Sequence, residues 1–126
     1  MSEKLKIAYI EDHKSVKDGI SFLLSQQPEI EIIEDEFNYH KMDAFITSHN
    51  ISIFILDLQL QSLKQPNDLN GYAICQLITL KYPHIKIIAH YMYDTIDSVN
   101  AMFSKGADGF VSKKSGCNEL IALLRR

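Results

Sequence analysis

Ile51 to Leu58 is the most apolar run in the chain, and its only charge is Asp57, near the end. A strand so apolar on both faces belongs in the middle of a parallel sheet. The other segments fit around it. Leu5 to Ile10 is a second short apolar run, ending abruptly in Glu11-Asp12, and reads as a buried strand. Val16, Ile20, Leu23 and Leu24 follow at a spacing that puts all four on one helical face, and Pro28 ends that helix. Ile30, Ile32 and Ile33 predict a second strand, and Met42, Phe45, Ile46 and His49 another helical stripe.

After the central run, Gln59 to Leu69 is rich in Gln, Asn, Ser and Pro and reads as a loop. Helix resumes near Asn70-Gly71, with Ile74, Leu77 and Ile78 inward and Pro83 closing it. Ile85 to Ala89 is a fourth strand. Ile96, Val99 and Phe103 mark a fourth helix, stopped by the turn Gly106-Ala107-Asp108-Gly109. Phe110-Val111 is a short fifth strand, and Cys117, Leu120, Ile121 and Leu124 line a last helix. Five strand–helix alternations imply right-handed crossovers and an α/β fold, a parallel sheet with helices on both faces. Chemistry in such open sheets gathers at the carboxyl ends of the strands.

At 126 residues the chain has the size of one domain, able to bury a core without disulfides or a structural metal. Cys75 and Cys117 form no C-x-x-C or zinc spacing and read as buried free thiols, suited to a reducing cytoplasm. No run approaches the roughly 20 apolar residues of a membrane span, and no signal-peptide core opens the chain. Thirteen basic against sixteen acidic residues give a formal charge of −3, which argues against this segment gripping nucleic acid by itself.

In a sheet of order 2-1-3-4-5, strands one and three are neighbours. Glu11, Asp12 and Asp57 then converge at one edge, with Lys113 following strand five. Two like charges about 4 Å apart repel by roughly 4 kcal/mol at an effective dielectric of about 20, so such a cluster calls for a cation. Hard oxygen donors with room for water suit Mg²⁺ or Mn²⁺. A lysine at the rim adds charge to position a phosphoryl group, and Asp57 becomes a nucleophile. Taken alone, Asp12 is either a ligand or a cap of the first helix.

The motifs Ile10-Glu11-Asp12-His13, Phe54-Ile55-Leu56-Asp57-Leu58, Asn70-Gly71, Lys105-Gly106-Ala107-Asp108-Gly109-Phe110 and Lys113 together resemble the receiver domains of two-component response regulators, over essentially the whole chain. They look most like receivers that precede a helix-turn-helix output domain. The resemblance implies a flavodoxin-like, doubly wound five-stranded sheet and a single receiver domain over residues 1–126. It implies that Asp57 accepts phosphate from a histidine kinase or phosphotransfer protein. Glu11, Asp12, Asp57 and the backbone carbonyl of Gln59 would hold the metal, and Lys113 would pair with Asp57 and then with the phosphoryl oxygen. Phe110 falls at the switch-aromatic position, where packing on strand five is the competing reading. The chain is then a signalling phosphoacceptor and not an enzyme, beyond slow self-phosphorylation and autodephosphorylation. A homodimer is a family expectation, DNA would be reached only through a separate output domain, and no membrane is involved. The chain is read as a segment of a longer regulator in preference to a complete one.

Three departures from the family pattern stand out. Tyr91 occupies the place of the usual Thr or Ser at the end of strand four, followed by Met92, so phosphorylation is expected to survive with altered coupling to the helix-four face. His90 before it reads as a packed side chain. Leu58 to Leu69 spans twelve residues where about 2–6 are usual, and Gln61 stands where proline is common. Surface insertion is the favoured reading, and a partner contact the other. Lys114 replaces the proline that usually follows the lysine, leaving the isomer of that peptide open.

Three rival functions fit the same architecture. A phosphatase of the haloacid-dehalogenase type needs a general acid two residues after the nucleophile, and Gln59 stands there. Nucleotide or flavin binding needs glycines or hydroxyls in the first turn, where Glu11-Asp12 would repel a pyrophosphate. A phosphorylation-independent pseudo-receiver, a protein-binding module, draws on Tyr91 and Met92; Glu11, Asp12, Asp57 and Lys113 speak against it.

Overall fold

The apolar run around Asp57 sits at the centre of the sheet. In the computed structural model, residues 4–11, 13–34, 39–57, 71–91, 96–113 and 117–124 are described, without the side chains of residues 39, 98 and 117. The strands are β1 (Leu5–Ile10), β2 (Ile30–Ile33), β3 (Ile53–Leu56), β4 (Lys86–Tyr91) and β5 (Gly109–Ser112). They pair in parallel in the order β2-β1-β3-β4-β5. The helices are α1 (Lys14–Ser25), α2 (Met42–His49, entered through a 3-10 turn at Tyr39–Lys41), α3 (Gly71–Lys81), α4 (Ile96–Ser104) and α5 (Cys117–Leu124).

Alternation along the strands divides the core in two. Ala8, Ile10, Phe54, Leu56, Ile87, Ala89 and Tyr91 face α2, α3 and α4, whose Phe45, Ile74, Ile78 and Met102 fill that side. Ile7, Tyr9, Ile53, Ile55, Ile88 and Val111 face α1 and α5, covered by Leu24, Leu120 and Leu124. Phe54, Ile55 and Leu56 have no exposed surface, as a strand covered on both faces requires.

Some boundaries and faces differ from the sequence reading. Strand four begins at Lys86, not Ile85, and runs past Ala89 to Tyr91. Pairing of His90 with Val111 and Tyr91 with Ser112 carries it there, because β5 is longer than the Phe110-Val111 core suggests. Leu23 does not join the buried stripe of α1. It is 46% exposed while Leu24 is fully buried, because the contact with β1, β2 and α5 is narrow and Leu23 lies off its centre. Ile96 and Phe103 mark α4 but lie on its solvent side, and Met102 is its buried anchor.

The end of α4 is fixed by the expected turn. Gly106 has φ 108°, in the left-handed region, and a Cβ there would lie 2.3 Å from Thr79 Oγ1. The Ala107 N–H donates to the Met102 carbonyl at 3.0 Å and the Gly106 N–H to Phe103 at 3.1 Å, a glycine C-cap. Asp108 then clamps the chain to β4, its carboxylate accepting from the Ile87 N–H at 2.9 Å. That clamp starts β5 in register and delivers Lys113 to the carboxyl edge.

Candidate functional site

Asp57 leaves β3 one residue past its end, and its N–H donates to the Ile10 carbonyl of β1 at 3.0 Å. This ties the tips of the two strands together. Ile10 is in register with Leu56, so Glu11 and Asp57 emerge side by side. Both are buried, at 7% and 2% exposure. Lys113 reaches them from the far side: its Nζ lies 3.3 Å from Asp57 Oδ2 and donates to Glu11 Oε1. The lysine backbone is held by its N–H donating to the Tyr91 carbonyl at 2.8 Å.

The Glu11 carboxyl shows the balance. Burial alone would raise its pKa. Hydrogen bonds with the Asp57 carboxyl, the Lys113 ammonium and the His13 N–H, together with the lysine charge, outweigh burial and hold it at about 2. The apolar sequence pattern gives no sign of the His13 contact. It is the N-cap residue of α1, yet its side chain makes no cap; its Nδ1 lies 3.2 Å from Glu11 Oε2. The cap position thus falls one past Asp12. The signal available was the histidine two residues after the acid, at the mouth of a helix whose cap carries no better oxygen.

Ligand atoms of Glu11, His13 and Asp57 lie within 4.8 Å of one another. The two buried carboxylates fit a hard, partly hydrated divalent cation, whereas the exposed His13 imidazole is a softer donor that suits other metals. A groove of about 630 Å³ runs from Glu11 between α1 and β2, with Lys14, Lys17 and Asp18 along it. Lys14 is spent on Asp18, at 3.1 Å. Asp12 and Gln59, two of the expected ligands, lie outside the described residues, as do Met92, the loop after Asp57 and the peptide from Lys113 to Lys114.

The aromatic residues lie elsewhere. Tyr91 is buried at 8% exposure, and Phe110 is half-buried against the same α2–α3–α4 cluster. Alternation places them on the opposite face of the sheet from Glu11, Asp57 and Lys113. His90 is buried, as expected of a packed side chain, but it is not apolar packing. Its Nδ1 lies 2.7 Å from the Tyr9 hydroxyl, 81 residues away in sequence. Burial, and then the Lys113 charge, push its pKa down to about 4 against a weaker opposing pull from Glu11, so the ring is neutral near pH 7. Cys75 is a free thiol, as expected, and burial raises its pKa to about 11. The Cys117 side chain lies outside the described ones.

Residues 7–125 match the response regulator receiver domain family. This chain belongs to that family. It is 21% identical over 122 residues to the transcriptional regulatory protein DegU of Brevibacillus brevis, covering 97% of this chain and 49% of the relative. It is 26% identical over 121 residues to the oxygen regulatory protein NreC of a Staphylococcus epidermidis strain, covering 96% and 53%. The chain thus spans about half the length of these relatives. Its fold is that of a crystallised LuxR-family two-component response regulator from Aurantimonas, with TM-score 0.82, 20% identity and coverage of 98% of this chain and 84% of that one. Receiver domains are signalling domains, and the acid pocket here is of the kind in which they bind a divalent cation. Among the described residues no helix is long and apolar enough to cross a membrane.

Proposed function

We propose that Asp57 accepts a phosphoryl group from the phosphohistidine of a sensor kinase or phosphotransfer protein. The observation that carries this reading is a buried carboxylate at the tip of the central strand, 3.3 Å from a lysine ammonium and beside a second buried acid. An Asp57 carboxylate oxygen forms the new bond to phosphorus while the bond from phosphorus to the donor nitrogen breaks. Lys113 holds charge on the transferring oxygens, and Glu11 is kept ionised to receive a metal. Glu11, Asp12, Asp57 and the Gln59 carbonyl would hold Mg²⁺ or Mn²⁺, which supplies charge neutralisation between acceptor and phosphoryl group. The chain is a phosphoacceptor with slow self-labelling and self-hydrolysis, not a turnover enzyme.

The relatives support a regulator whose receiver is joined to a DNA-binding output domain, since they are named as transcriptional and oxygen regulatory proteins about twice this length. A cytoplasmic location and a homodimer accord with that reading. Tyr91 and Phe110 form the switch, with weakened coupling because Tyr91 packs on the face away from the acids.

The test is incubation with acetyl phosphate and Mg²⁺, read by intact-protein mass spectrometry. The wild type is expected to gain one phosphoryl group, and no gain is expected when the metal is chelated beforehand or in Asp57→Asn. Equal labelling of Asp57→Asn, or none of the wild type, would end the proposal.

A further inference from the structure

Tyr9 and His90 are each 3% exposed, and they come from strands that are not neighbours. Their 2.7 Å hydrogen bond crosses β3, with the ring centroids 5.7 Å apart. Two apolar residues would fill this place without desolvating a hydroxyl and an imidazole, so the bond needs a reason beyond packing. Its position supplies one. Leu56 is in register with Ile10 on one side and Ala89 on the other, so one residue further on Glu11, Asp57 and His90 stand abreast. Alternation directs all three to the α1–α5 side, with Tyr9 one step beneath Glu11.

Lys113 lies on the other flank of His90. Its N–H is fixed on the Tyr91 carbonyl at the end of β4, while its ammonium rests on Asp57 and Glu11, beyond β4 on β3 and β1. Two strand spacings, about 10 Å, separate β5 from β3. The lysine stem therefore crosses the tip of β4, where the last side chain on that face among the described residues is His90, and the Lys113 charge bears on its ring.

We propose that His90, braced by the Tyr9 hydroxyl, is a positioning residue for Lys113: the ring is the platform over which the lysine crosses β4 to reach the acceptor. This rests on the reading of Asp57 as phosphoacceptor with Lys113 as its cation. Tyr9 fixes the ring, the ring fixes the stem, and the stem places the ammonium where the transferring oxygens gain charge. A neutral imidazole suits the task, since a cationic one would repel the ammonium.

The experiment is a double-mutant cycle on the whole chain. Tyr9→Phe keeps the ring packing and removes only the hydroxyl; His90→Leu removes the platform; His90→Asn keeps a group able to bond Tyr9. Each is measured with Lys113 present and in Lys113→Met, as the initial rate of labelling by acetyl phosphate with Mg²⁺. Tyr9→Phe and His90→Leu are expected to slow labelling by about fivefold with Lys113 and by less than about twofold without it, with His90→Asn recovering most of the loss. Equal losses in both backgrounds would mean general loosening and would overturn the proposal. The nitrogen resonance of the Lys113 ammonium gives a readout that needs no phosphorylation. It is expected to shift in Tyr9→Phe and to return towards the wild-type position in His90→Asn. An unchanged resonance in Tyr9→Phe and His90→Leu overturns the positioning role even if the wild type takes no phosphate, an outcome that would separately overturn the assignment of Asp57.

Discussion

The two faces of the sheet's carboxyl edge are built from opposite materials. On the α1–α5 side, the buried Glu11, Asp57 and His90 and the partly buried Lys113 form a polar layer over Tyr9, held by hydrogen bonds and opposite charge. On the α2–α4 side, Tyr91 and Phe110 join an apolar cluster anchored by Met102. The strands are the same and only the parity of the residue differs. A layer of charges is exact in geometry and sensitive to losing one member, whereas an aromatic layer tolerates change but transmits it loosely.

The largest effect should come from breaking the polar layer at its cation. Lys113→Met leaves two acids together with no ammonium, and removing one partner of a buried pair costs about 3 kcal/mol or more. Urea unfolding in metal-free buffer at pH 7 is expected to show that loss, with Mg²⁺ restoring part of it. A variant as stable as the wild type would mean the acids are not held by the lysine.

Acidification attacks the same layer through His90. Its folded pKa, about 4, lies below the ordinary 6.5, so the unfolded chain takes up the proton first. Stability from the neutral ring is therefore complete above pH 6.5 and lost as pH falls towards 4. Between pH 7 and pH 5 the loss is about 2 kcal/mol. Glu11, held at about 2 against an ordinary 4.5, adds its own loss in a lower window. His90→Asn should flatten the upper window and leave the lower. A wild-type stability that does not change from pH 7 to pH 5 would contradict the buried neutral histidine.

The contrast between the layers also explains which features are legible in the sequence. Element order, the central place of β3 and the meeting of Glu11, Asp57 and Lys113 follow from apolar periodicity and from charges at strand ends. Periodicity says less about how wide a helical contact is, and so it points Leu23 inward although that residue is 46% exposed. The Tyr9–His90 bond depends on register across three strands, and no local pattern in either segment announces it. Tyr9 and Glu11 do share a parity, as do Val111 and Lys113; the register of β4 puts His90 on their face, abreast of Glu11 and Val111. The His13 contact is illegible for another reason: histidine is not among the preferred helix caps, and the turn of its ring to Glu11 depends on the backbone between β1 and α1.

The aromatic layer should answer more quietly. Phe110→Leu keeps most of the buried area of a half-exposed ring, so the expected cost is about 1 kcal/mol. The rate of labelling at Asp57 and the affinity for Mg²⁺ should stay within about twofold of wild type. A slowing of labelling well beyond twofold would show that the two faces are not separable in the unphosphorylated protein.

The smallest response should be the one that crosses the sheet. A hydroxyl on a short side chain at the end of β4 could reach a phosphoryl group beside Asp57. Tyr91 carries its hydroxyl at the far end of a ring that is buried with Ala89 and Met102 on the other face. Pulling that ring across the strand would empty a packed site, at a cost comparable to other large core vacancies, about 3 kcal/mol. A bound phosphate analogue must meet that cost before α4 can move. Beryllofluoride with Mg²⁺ is thus expected to shift the amide resonances of Glu11, Asp57 and Lys113 strongly, and those of Phe110 and Met102 only slightly. Shifts at Phe110 as large as those at Lys113 would show that Tyr91 turns after all, and that the aromatic layer is driven directly by the acid site.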